Sequence, residues 1–187
     1  MTLRPLLIAA AIASSTGAAA ADNAPASMDR WSPSAGDVIA FDVLRKGNEF
    51  GSHIVSFDKS EDGELSVTVD VDLKAGLGPI TLFRYALDAT ETWEDGQLVS
   101  LQGSVNDDGS RESVTAEREG GALAVQGDGF SGEVDPSIIP ASHWNFDQVR
   151  AEKLLSAENG ELIEVDVKEL GRETIEAGGQ SIEANKF

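Results

Sequence analysis

Leu65-Ser66-Val67-Thr68-Val69-Asp70-Val71-Asp72-Leu73 sets an apolar side chain at every second position and a polar one between. Successive side chains of an extended chain point to opposite faces, so this stretch predicts a strand with one buried face and one wet face. The same alternation recurs over Val38 to Arg45, His53 to Phe57, Ile80 to Trp93, Leu98 to Val105, Arg111 to Glu117, Ala122 to Gln126 and Leu162 to Val167. Between these runs sit Lys46-Gly47-Asn48, Glu61-Asp62-Gly63, Glu94-Asp95-Gly96, Asp107-Asp108-Gly109, Gly120-Gly121 and Asn159-Gly160. Glycine supplies the positive φ of tight hairpins, and Asn or Asp supplies the local side-chain bonds. Short strands joined this way, with no helices alternating between them, predict an all-β antiparallel meander. Its apolar face must be closed off, so the expected form is a strongly curved sheet or an incomplete barrel.

One segment breaks the pattern. Pro136 to Gly160 reads PSIIPASHWNFDQVRAEKLLSAENG. Asn145 can cap a helix with Gln148 three residues on, and Arg150 and Lys153 fall toward its C-terminal end. This predicts one short helix from about Phe146 to Ala157, covering the open face of the sheet. At the chain's end Gln180 to Phe187 resumes the strand pattern and stops. A strand at an edge presents unpaired backbone groups. Either it pairs on both sides, or a segment is missing, or a protein partner supplies one.

The flanks and composition set the location. Met1 to Ala21 has Arg4, the apolar run Leu6 to Ala13 and small residues ending at Ala21, which predicts a secretory signal peptide cleaved near Ala21. Its apolar run is shorter than the roughly 20 residues a membrane span needs, and no later stretch approaches that length. Residues 22–36 read as a flexible leader and 37–187 as a single β-rich domain. The chain has no cysteine, which excludes disulfides, thiolate metal sites and a cysteine nucleophile. Export without cysteine predicts a bacterial periplasmic or secreted protein whose stability comes from its core. Its 33 acidic residues against 14 basic ones leave a formal net charge of −19. That balance argues against nucleic acid and predicts repulsion from anionic lipid.

Phe41 to His53 (FDVLRKGNEFGSH), Tyr85 to Leu98 (YALDATETWEDGQL) and Ser142 to Asn145 (SHWN), the last followed by Leu154-Leu155 and a glycine, carry a resemblance. Over most of residues 37–187 the chain resembles a family of small exported bacterial proteins, the domain-of-unknown-function family numbered six-one-three-four. The resemblance implies an all-β fold and brings no established activity, cofactor or catalytic residue. It also implies a further hairpin past Phe187, which leaves sheet closure open. A looser, fold-level likeness is to periplasmic half-barrels that carry lipids or lipoproteins.

Among candidate residues, His143 stands first, because it sits between Ser142 and Trp144 in the one segment that is not plain hairpin, and an imidazole titrates near neutrality. The alternative is that His143 and Asn145 are structural hydrogen-bonders seating Trp144. His53, at a strand start, reads equally well as packing. No H-x-H or H-x-x-x-H spacing supports zinc. Asp58, Ser60 and Asp62, with Gly63, match the first half of a calcium loop, but the twelfth position is Val69 where a bidentate Glu belongs, so an acidic hairpin turn is the simpler reading. No G-x-S-x-G elbow or phosphate-binding glycine loop occurs. No cofactor is expected.

Phe41, Phe83, Tyr85, Trp93, His143, Trp144 and Asn145 form the candidate ligand-binding set, with a filled core as the plainer alternative. The leading functional expectation is a non-enzymatic carrier that holds a hydrophobic small molecule or lipid on the apolar face. The second is an assembly protein whose C-terminal edge accepts a partner strand. The third is a hydrolase-like enzyme using His143 with a nearby carboxylate.

Overall fold

The computed structural model describes residues 31–77 and 80–187. The signal-peptide reading and most of the leader lie outside these residues. The described chain forms two compact units, Pro33–Val165 and a second that holds Asp166–Phe187.

In the larger unit eight strands pair in strict chain order. They are β1 (Val38–Arg45), β2 (Asn48–Lys59), β3 (Leu65–Leu77), β4 (Ile80–Glu94), β5 (Gln97–Asp107), β6 (Ser110–Glu119), β7 (Ala122–Gly127) and β8 (Ser131–Val134). Every pairing is antiparallel. Among the described residues β1 and β8 do not pair with each other, so the sheet is an open meander and not a closed barrel. Lys46-Gly47, Asp95-Gly96 and Asp108-Gly109 each place both loop residues at positive φ, the conformation whose twist matches the flanking strands.

The alternation in the sequence becomes rows across one face. Val55, Val69, Ala89, Gly103, Val114 and Gly127 stand opposite one another in register, and so do Phe57, Val67, Glu91, Leu101, Ala116 and Val125. These rows are the core.

The chain itself covers this face. After β8 come β9 (Ile139–Pro140), a 3₁₀ turn (Phe146–Arg150), β10 (Lys153–Leu155) and β11 (Leu162–Glu164), with β10 parallel to β9 and antiparallel to β11. Asn145 does cap the turn, its side chain accepting from the Asp147 backbone N–H at 2.9 Å. The expected helix to Ala157 is corrected to this single turn, because Ala151 is extended and Leu154, Leu155, Ser156 and Ala157 are buried in succession. A surface helix hides one side chain in three or four, whereas an extended strand with neighbours on both sides can hide consecutive residues. The sequence run Leu162 to Val167 likewise shortens to β11.

Backbone as well as side chains seats the cover. The Ala157 carbonyl rests on Gly103 and the Asn159 carbonyl on Gly127. Around them Tyr85 donates to Glu158 at 2.7 Å, the Asn159 amide donates to Glu112 at 2.7 Å, and Gly129 N–H donates to the Asn159 carbonyl at 2.8 Å.

In the second unit β12 (Gly171–Ala177) and β13 (Gln180–Lys186) form a hairpin through Gly178-Gly179. The last strand therefore has a partner within the chain along its whole length.

Candidate functional site

The odd member of the central row is Glu91. Odd-numbered residues of β4 face the core, so Leu87, Ala89, Glu91 and Trp93 share one side, and Glu91 stands directly between Val67 and Leu101. It is 0% exposed. Its Oε2 accepts from the Trp93 indole at 2.8 Å and from the Trp144 indole at 3.0 Å. Trp144 meets Trp93 and Phe57 edge-on, each with ring centroids 5.4 Å apart. Ser142 is buried beside them. Burial raises the pKa of this carboxyl, while Ser142, Trp144 and Trp93 draw it back by favouring the ionised form.

Next to this cluster the two histidines meet. His143, at φ +64°, turns its ring edge-on to His53 with centroids 6.4 Å apart. His53 is buried, lies 5.9 Å from the Phe41 ring, and leaves Nε2 without a partner among the described residues. Burial, and then the charge of His143, lower the pKa of His53. The packing around His143 lowers its pKa too, with Gln148 pulling the other way. Both shifts favour the neutral imidazole.

These shifts predict two opposed slopes of stability against pH. Glu91, with its pKa raised in the fold, contributes stability that is complete below its ordinary value of 4.5 and is lost as pH rises through the raised one. His53 and His143 contribute stability that is complete above 6.5 and is lost as pH falls through their lowered values. Melting temperatures of wild type and Glu91→Gln should diverge progressively above pH 4.5, with the variant losing the downward slope. Parallel curves would show that folding leaves the carboxyl's pKa unshifted.

Of the candidate ligand-binding set, Trp93, His143, Trp144 and Asn145 come together, and Phe41 joins them through His53. Phe83 and Tyr85 do not. Phe83 stacks on Phe50 with centroids 5.9 Å apart, and Tyr85 is committed to Glu158, which with burial pushes its phenol far above the ordinary range. Glu91 and Ser142 are the members that sequence reasoning missed. Strand parity carried the signal for Glu91, since it shares a face with Leu87, Ala89 and Trp93.

The calcium half-motif lies at the β2–β3 hairpin. Ser60 spends its hydroxyl on the Glu64 N–H, Gly63 N–H donates to the Ser60 carbonyl, and Val69 is core. Among the described residues no three of His, Cys, Asp or Glu cluster as a metal requires. None of the described helices is long and apolar enough to cross a membrane. A shallow cleft of about 400 Å³ lies apart from the site, lined by Asp88, Ser104, Asn106, Arg111 and Asp128.

The class these features define is an open antiparallel meander closed over by its own chain, with a buried acid and paired imidazoles beneath the cover. Residues 41–187 match the family described as "Domain of unknown function (DUF6134)", and the chain belongs to that family. No curated protein and no solved structure matches it.

Proposed function

We propose that this chain is an exported, periplasmic or secreted, non-enzymatic carrier that binds a hydrophobic molecule with one polar end on the covered face of the sheet. One observation carries the reading: on an otherwise apolar, aromatic surface His53 Nε2 is a buried polar atom without a partner among the described residues, and Glu91 is a fully buried carboxyl. Burying such an atom unpaired costs about 1–3 kcal/mol, and a ligand's polar end that bonds to it recovers that cost. The ligand's apolar part takes the place of Trp144, which is held by ring contacts and one hydrogen bond on a segment of irregular backbone. The Met1–Ala21 segment and the absence of cysteine support an exported location.

Titration with a fluorescent fatty-acid probe tests this. Wild-type protein should take up one probe saturably. Trp144→Ala, by vacating the probe's place, should raise the apparent affinity, and Glu91→Leu should lower it about tenfold by removing one polar anchor. Uptake unchanged in both variants would overturn the reading.

A further inference from the structure

The molecule carries a second surface, remote in character from the first. Pairing of β3 with β2 stops at Leu73, and pairing of β4 with β5 starts at Tyr85. Beyond Lys74 and Arg84 the β3–β4 hairpin has no strand pairing but its own among the described residues, a finger reaching roughly 10–15 Å past the last β4–β5 pair at 3.3 Å per residue, with the β1–β2 hairpin alongside it. Ile80 and Leu82 near its end are 61% and 67% exposed. Its base carries cations, with Lys74 directly opposite Arg84 and both about half exposed. Beside it, Phe50 of the β1–β2 hairpin stacks on Phe83, Arg45 lies 5.5 Å over the Phe50 ring, and Leu44 is exposed.

Charge sets this end apart from the rest of the protein. Leu73 to Leu87 contains no acidic residue in a chain with 33 of them, and it carries Lys74 and Arg84. With Arg45 and Lys46 it gathers four of the 14 basic residues. The acid nearest the base, Asp72, is already paired with Lys74 at 2.9 Å and Arg84 at 3.8 Å. Glu49 lies on the neighbouring hairpin. Asp107 and Asp108 lie at the level of the finger's base, where Asp108 N–H donates to the Arg84 carbonyl.

An exposed apolar tip above a collar of cations is the chemistry of a segment that enters the boundary between lipid headgroups and acyl chains. We propose that the β3–β4 finger docks on an anionic lipid bilayer, Ile80 and Leu82 entering the interface while Arg45, Lys46, Lys74 and Arg84 meet headgroup phosphates. The net charge of −19 does not forbid this. At physiological salt a charge is screened over about 8 Å, whereas β4 runs roughly 50 Å, so acids at the far end do not reach the contact. This surface stands independently of the carrier reading.

Flotation with lipid vesicles, using protein recovered after export of the full-length precursor, decides the matter. Vesicles of equal parts phosphatidylglycerol and phosphatidylcholine should carry the protein, and pure phosphatidylcholine should carry much less. Ile80→Ser combined with Leu82→Ser alters only exposed positions and should lower partitioning about tenfold or more. Lys46→Glu should weaken it severalfold, and high salt should do the same. Absence of flotation on the anionic vesicles, or equal flotation of the serine variant, would overturn the proposal. So would a self-association seen by sedimentation and abolished in that variant, which would assign the tip to a second copy of the chain.

Discussion

Gly103→Ala is expected to cost about 3 kcal/mol and to unseat the cover while leaving the sheet paired. A Cβ built on Gly103 falls 1.9 Å from the Ala157 carbonyl oxygen and 3.1 Å from Val114 Cγ1. The first contact is with backbone, which has no rotamer to turn aside. Gly103 is also held in register between Ala89 on β4 and Val114 on β6, so the strand has little room to retreat. What gives way is the segment around Ala157, and with it the burial of Leu154 and Leu155. Urea denaturation should show the lost stability. Hydrogen exchange should show the amides of Lys153 to Glu161 opening, while those of β3 to β6 stay protected. Stability equal to wild type would mean that the cover is not seated on this glycine.

The second large effect is at Trp144. Truncation to alanine removes two edge-on ring contacts and one of the two indole donors to a fully buried carboxyl, and should cost about 3–5 kcal/mol. Trp144→Phe separates the parts. It keeps a ring against Phe57 and Trp93 and loses only the N–H, so it should cost about 1–3 kcal/mol. Placed in a Glu91→Gln background, and measured at a pH above the raised pKa of that carboxyl, Trp144→Phe should cost less, since an amide accepts a weaker hydrogen bond than an ionised carboxylate. Equal costs in both backgrounds would show that the indole–carboxyl bond contributes nothing of its own.

The meander was legible because its cause is local. Leu65 to Leu73 alternates because each strand is wet on one side, and turns such as Asp95-Gly96 and Asp108-Gly109 fix which strand follows which. The Ser142 to Asn145 segment was legible as a break in that pattern. What the pattern does not record is a partner distant in sequence. Asn145, Gln148, Arg150 and Lys153 carry the cap and charge pattern of a helix, but Leu154 and Leu155 are fixed by pairing with Ile139 and Pro140 on one side and with Ile163 and Leu162 on the other. Glu91 was misjudged for a related reason. Its parity points inward and its charge points outward, and the deciding groups, Trp144 and Ser142, lie about fifty residues away.

The strict chain order of the eight strands has a consequence for how the protein comes into being. Each pairing closes only a short loop, so the sheet can zip from its own turns at little entropic cost. The Trp144 bond to Glu91 spans 53 residues, and the Tyr85 bond to Glu158 spans 73. These long closures gain nothing until the surface that receives them exists. Assembly is therefore sequential, with the meander first and the cover last. A chain emerging N-terminus first completes its receiving surface before the segment that will lie on it has arrived.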